Sequence, residues 1–265
     1  MTSQPRMQRS HGRARVALGR AGISDLHQQG SAKVFSTAGR SAPAEIVFLN
    51  TSGGLAGGDT LSLAVDLAER HGACATTQTA ERAYRSNAGT AWVRVALSAG
   101  AGARLDWLPQ ETIVFQRAAL DRVTTVDLAG DAEFLGVETI VLGRAAMGEV
   151  VTRLHLHDRR EIRRDGRLVL VDILRLDDAA LAGGAALLGG ARVVSTLILA
   201  APDAEAALAP VREALGQLPV DGAASARPGA LVVRLRGADS WQMRGAIARL
   251  VLTLRPGRLP RVWQQ

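Results

Sequence analysis

The segment Ser52-Gly-Gly-Leu-Ala-Gly-Gly-Asp-Thr60 has, from Gly53, the glycine spacing of a phosphate-binding loop, G-x-x-x-x-G-K-T. The lysine of that motif meets the β- and γ-phosphates. Here Asp59 stands in its place and would repel them. Leu61 to Leu67 then alternates like a strand, whereas a phosphate loop opens a helix. Nucleotide chemistry is therefore not expected. Gly53, Gly54, Gly57 and Gly58 read as a tight turn, with the Asp59 side chain bonding local backbone amides.

Other reactive groups are sparse. Cys74 is the only cysteine and sits among small residues on an expected strand, as packing rather than as a nucleophile. No G-x-S-x-G elbow is present. His155 and His157 are two apart and share a face of an expected strand. Without a third ligand motif they read as a solvated pair. Glu111, in Leu108-Pro-Gln-Glu-Thr-Ile113, and Glu138, in Gly136-Val-Glu-Thr-Ile-Val-Leu142, are acids within apolar runs. A carboxylate in such a run needs a partner, because burial without one is costly. Arg85, Arg144 or a backbone amide can serve. Two such acids also suit a polar passage, or a glycan hydrolase built on a β-helix.

The elements that must hold these residues are mostly strands. Leu63 to Leu67, Val93 to Leu97 and Val123 to Leu128 each lead through a small-residue turn into a second strand. The strand starts recur about every 30 residues, which fits a solenoid or an antiparallel meander. Asp165-Gly166 between strand-like runs predicts a hairpin. Arg192 to Ala200 predicts a further strand. Two helical stripes follow, Asp203 to Leu215 with a break at Pro210, and Ser240 to Leu254 capped by Asp239 or Ser240. Residues 1–265 are expected to form a single domain, with 1–12 as a flexible tail.

Charge excludes one class of partner. The net charge of +7 comes from the two ends: residues 1–20 hold five Arg and the last eleven hold three, with no acid in either. The body between them is nearly neutral, and aromatics are 3% of the chain, so nucleic-acid binding is not expected. No apolar run reaches membrane-spanning length and no signal-peptide core is present, so a cytoplasmic protein away from membranes is expected.

Several segments, in order, resemble the UreD (UreH) family of urease accessory proteins. Asn50 to Asp59 is similar to the family's PPGGLVGGD-like segment, with Thr51-Ser52 where prolines are usual. Thr76-Thr-Gln-Thr-Ala-Glu-Arg-Ala-Tyr-Arg-Ser86 resembles TTQAATKVYRS, with Glu81-Arg82 at the Thr-Lys pair. Leu108-Pro-Gln-Glu-Thr112 matches LPQET, and Glu138 to Glu149 matches E-x-x-x-L-G-R-x-A-x-G-E. Arg163 to Arg167 and Pro260-Arg-Val-Trp263 also fit.

The resemblance implies a mainly β, β-helix-like solenoid with two helices toward the C-terminus. It implies a non-enzymatic scaffold that joins UreF and the GTPase UreG to apo-urease. It implies no tightly bound cofactor, with nickel only in transit. By motif position the transit residues would be Asp59, Glu111 and Glu138. Gly53, Gly54, Gly57, Gly58, Gln78, Tyr84, Arg85 and Arg144 would serve interfaces or turns.

Overall fold

A computed structural model describes residues 9–37, 43–257 and 259–264. The strands are β1 His11–Gly19, β2 Gly22–Gly30, β3 Ala32–Thr37, β4 Ala44–Asn50, β5 Thr60–Leu67, β6 Gly72–Thr77, β7 Glu81–Ala83, β8 Ala91–Ala99 and β9 Arg104–Trp107. They continue as β10 Thr112–Val114, β11 Ala119–Leu128, β12 Glu133–Leu142, β13 His155–Arg164, β14 Arg167–Leu176, β15 Val193–Ala200, β16 Asp221–Arg227 and β17 Ala230–Gly237. The helices are α1 Asp178–Ala182, α2 Leu208–Leu215 and α3 Ser240–Leu254.

The chain winds as a β-solenoid of about 4 turns. One face pairs β1, β5, β8, β11 and β13 in parallel, flanked by antiparallel β2 and β14. The opposite face pairs β4, β6, β9 and β12 in parallel, extended by antiparallel β3 on one side and by β15, β17 and β16 on the other. A short third face stacks Leu55, β7, β10 and the end of β12, also in parallel. Parallel rows decide between the two topologies left open by the repeat. A meander would pair these strands antiparallel.

Alternation explains the core of the early coils. In β5 and β8 every second residue points inward, so Leu61, Leu63, Val65 and Leu67 meet Val93, Val95, Leu97 and Ala99 row by row. Asp165 (φ 49) and Gly166 (φ 75) turn β13 into β14, as the Asp-Gly pair requires. Pro210 falls in the first turn of α2, where a missing N–H costs nothing; a 3-10 turn, Ala204–Ala207, precedes it. Helix α3 begins where Asp239 accepts the Gln242 amide at 2.8 Å. Its Met243, Ile247, Leu250 and Val251 are buried in a second core with β15 and β17.

Two local expectations are corrected, and two strands arise where none was expected. Strand β1 starts at His11, before the end of the expected 1–12 tail; residues 1–8 lie outside the described residues. Val123 does not align with Val93 across the coils. Val93 pairs with Arg122, and Val123 pairs with Arg94. Strands β2 and β16 form without apolar alternation, as the outer arms of hairpins that their partners β1 and β17 template.

Candidate functional site

The glycine segment closes one end of the third face. The Leu55 amide donates to the Arg82 carbonyl at 2.7 Å, and the Tyr84 amide donates to Leu55 at 2.7 Å. Asp59 is buried, and its two oxygens accept amides, from Ser10 at 2.8 Å and from Ala56 at 2.7 Å. The amides that a phosphate would need are thus partly consumed by an internal carboxylate. Gly57 lies so close to the next corner that a Cβ would sit 2.5 Å from the Ala88 carbonyl oxygen. Asp59→Asn retains one acceptor and turns an NH2 toward an amide donor. It is expected to cost about 1–3 kcal/mol, read by denaturant unfolding. A loss near zero would show that the turn holds without the carboxylate.

Deeper in the solenoid, inward positions that are apolar in the first coils become charged. The row that begins Leu61, Val93 continues as Arg122 and Asp158. The next row runs Leu63, Val95, Thr124, Arg160. Arg122 grips Asp158 with two bonds, Nε to Oδ1 at 2.9 Å and Nη2 to Oδ2 at 2.7 Å. Its Nη1 reaches Glu138 Oε2 at 2.7 Å and Thr112 at 3.1 Å. Trp107 Nε1 donates to the other Glu138 oxygen at 2.9 Å. Arg160 bonds Asp158 at 2.9 Å and faces Asp172 at 3.1 Å, and Arg234 closes the chain on Asp172.

Three guanidinium groups thus meet three carboxylates, and the network is neutral. Five of the six are buried and the exposed Arg234 completes the balance from the surface; pairing offsets a burial that would cost each ion alone several kcal/mol. The acids nevertheless differ. Burial pushes Glu138 above the usual carboxylate range, and the Asp158 charge adds to this. Arg122, the Trp107 bond and Arg160 offset only part of it. Burial also pushes Asp158 upward, but Arg122, its hydrogen bonds and Arg160 outweigh this and hold it below the usual range. Glu81 is raised by burial, opposed by bonds from Asn50 and the Arg82 amide and by the charges of Arg82 and Arg122.

The network spans two spaces. A cavity of about 20 Å³ is lined by Glu138, Thr124, Arg160 and Thr196 among apolar residues. It is large enough for one water. Thr124 Oγ1 and Arg160 Nε lack a protein hydrogen-bond partner among the described residues, and they suit such a guest. Thr196 also lines an open cleft of about 510 Å³ between β14 and the β16–β17 hairpin, with Asp172, Ser195 and Arg234.

The residues singled out by sequence fall in different places. Glu138 lies in the buried network, paired with Arg122 rather than with Arg85 or Arg144. Arg144 pairs instead with Glu149 at 2.8 Å and covers the Phe115 ring at 4.8 Å. Glu111 is half-buried at the start of β10, where its carbonyl accepts the Glu81 amide at 2.9 Å. Tyr84 donates its hydroxyl to the Gly53 carbonyl at 3.1 Å and meets Phe115 edge-on at 5.1 Å. Arg85 and Gln78 have exposed side chains; the Gln78 amide donates to Phe48 at 2.9 Å. His155 pairs with Asp121 at 2.8 Å. Among the described residues, no group of three or more His, Cys, Asp and Glu is arranged to hold a metal ion. Sequence reasoning missed Arg122, Asp158, Arg160 and Asp172. Their only signal was a row of charges in phase with Leu120, Val126, Leu156 and Ile162.

Fold and site together define a β-solenoid whose first coils are sealed by apolar rows and whose last coils carry an internal, charge-balanced polar network. The UreD urease accessory protein family model matches residues 10–264. A urease accessory protein UreD of Paracoccus denitrificans (strain Pd 1222) is 53% identical over 264 residues, covering 98% of this chain and 94% of that protein. The UreD of Cereibacter sphaeroides (strain ATCC 17025) is 53% identical, covering 97% and 96%. That of Rhizobium leguminosarum bv. viciae is 45% identical, covering 99% and 98%. The chain belongs to the UreD family of urease accessory proteins. It is a urease maturation factor and not a catalyst, which sets aside the glycan-hydrolase alternative.

Proposed function

We propose that the chain acts as one scaffold, joining UreF and UreG to the urease apoprotein in the cytoplasm while nickel is delivered. No helix among the described residues is long and apolar enough to cross a membrane. The observation that carries the nickel part is the buried polar network. It runs from Glu138, beside the small cavity, to Asp172 on the wall of the open cleft. A divalent cation in transit needs oxygen donors that bind weakly and release, rather than a closed His/Cys cage. Glu138 suits that need. It borders the small cavity, and a cation there would exchange for the bond from Arg122 or Trp107. Glu111 would act nearer the surface. Asp59, with both oxygens on amides, would act by holding the glycine turn and not as a ligand.

The test replaces Asp59 with Asn, and Glu111 and Glu138 with Gln. Urease activation and urease nickel content are expected to fall several-fold, while circular dichroism and co-purification with UreF stay unchanged. The Glu111/Glu138 double variant separates transit from loss of the Asp59 turn. Full activation with normal nickel content would remove the passage from the proposal.

A further inference from the structure

Away from the buried network, one corner of the solenoid carries exposed charge that its own residues leave unbalanced. The corners that follow β7 and β10, and the segment before β13, stack in register. The Ser86 amide donates to the Arg117 carbonyl at 2.9 Å, and the Arg117 amide donates to the Arg153 carbonyl at 2.7 Å. Arg85 thus faces Ala118 in a local antiparallel bridge and Arg117 lies opposite Ser86, which brings both arginines to the same corner on adjacent coils. With Arg144 they border an open depression of about 380 Å³. Its floor is the Phe115 ring, with Tyr84 set edge-on against it.

Among the described residues, the only carboxylate lining this depression is Glu149. It is already engaged by the Arg144 side chain and by the amides of Arg144 and Gln116. Burial pushes Glu149 up, and those bonds more than offset it, so it stays ionised and committed. Arg85 and Arg117 have no side-chain hydrogen bond or ion pair among the described residues. Arg117 also sits at φ 64, in the left-handed region that non-glycine residues rarely occupy. The corner thus presents two uncompensated cations to one depression, and an anion from outside would pair with them.

The surroundings suit a protein rather than a free small anion. Tyr84 is 40% exposed, and the loop after Arg144 exposes Met147 at 73% and Val150 at 72%. Arg, Tyr and Met around a shallow depression are what the centres of protein interfaces enrich. The corner is also pre-shaped. The Gly143 amide is tied to Val114 at 2.9 Å, and the Glu149 carbonyl accepts from Arg192 at 2.9 Å. We propose that this corner docks an acidic segment of a protein partner. Carboxylates would meet Arg85 and Arg117, and a flanking apolar side chain would meet Tyr84 and Met147. The proposal rests on the scaffold reading above and names the chemistry of one of its contacts.

The test uses the full chain carrying Arg85→Glu and Arg117→Glu, both exposed positions without side-chain partners. Binding to immobilised urease apoprotein, UreF and UreG is measured separately at low and high salt. At least one of the three is expected to lose about tenfold or more in affinity on charge reversal. The same partner should weaken with salt for the unaltered chain, and Lys at both positions should restore part of the binding. Equal binding of all three partners by the variant, with its melting curve unchanged, would overturn the docking site and leave the scaffold reading standing. Inorganic phosphate alone raising the melting temperature of the unaltered chain but not the variant, with partner binding unaffected, would make it a small-anion site and overturn the inference. An unaltered chain that binds none of the three would sink the scaffold reading, and this inference with it.

Discussion

Replacing Arg122 with Met is expected to destabilise the fold by about 3–5 kcal/mol at neutral pH, the usual cost of leaving a buried charge without its partner. Arg122 is the hub of the internal network. It bonds Asp158 twice, faces Glu138 at 2.7 Å and reaches Thr112. Methionine fills much of the same volume but offers no donor. Asp158 and Glu138 would then share an apolar interior with only Arg160 and Trp107 nearby. Adding Asp158→Asn and Glu138→Gln should return part of the loss, because the removed cation then leaves no buried anion behind.

The pH dependence gives an independent check. In the unaltered protein Asp158 is held below its ordinary value. Its stabilising contribution is therefore present above the unfolded pKa of about 3.9 and is lost as pH falls below that, through the folded value. In the Met variant burial dominates, and both acids titrate above their unfolded values. That penalty is felt at neutral pH and eases as pH falls through the raised folded values. The stability gap between the two proteins should narrow between neutral and mildly acidic pH. Denaturant unfolding at both conditions measures it. A loss under about 1 kcal/mol, or a gap that widens toward acid, would mean that the network does not depend on Arg122.

Gly54→Ala is the second large effect, expected at about 2–4 kcal/mol from strained backbone and overpacking together. Gly54 has φ 147, which L side chains rarely adopt. A Cβ there would lie 2.4 Å from Tyr84 Cε2 and 2.7 Å from the Arg82 carbonyl oxygen. The tyrosine ring would have to move, giving up its contact with Phe115 and its bond to the Gly53 carbonyl. The backbone contact with Arg82 cannot be relieved by a rotamer change. Gly53→Ala is the control. Gly53 also has positive φ (79), but nothing lies within 4 Å of a Cβ there, so only backbone strain applies, about 1–2 kcal/mol. Thermal melts of the two variants would decide the matter. If Gly54→Ala melts no lower than Gly53→Ala, the close approach to Tyr84 is not what keeps the glycine.

The glycine turn, the Asp165-Gly166 hairpin and helix α3 were legible because their causes are local. Positive φ, a capping aspartate and a Pro-Gly stop act within a few residues. The strand ladder was legible in part. Its recurrence was visible, but parallel pairing depends on where each coil lands on the last. The family resemblance was legible from ordered segments whose residues prove to line the corners and the third face.

The site itself was decided by register. Side chains in a strand alternate with a period of two, so a shift of one residue exchanges the inner and outer faces. Read alone, β11 offers Leu120, Val126 and Leu128 in one phase and Val123 in the other, so the apolar majority already points to the face that carries Arg122 and Thr124. The neighbouring coils place Leu120, Val126 and Leu128 inward, and Arg122 and Thr124 follow. The sequence by itself determined the turns, the caps, the strand-rich composition and the presence of unpaired acids in apolar runs. Only the tertiary structure decided that Glu138 meets Arg122 and Asp158, and that Arg85 and Arg117 stack at one corner. Those pairings join different coils, and no strand's own pattern says which residue of the next coil will lie beside it.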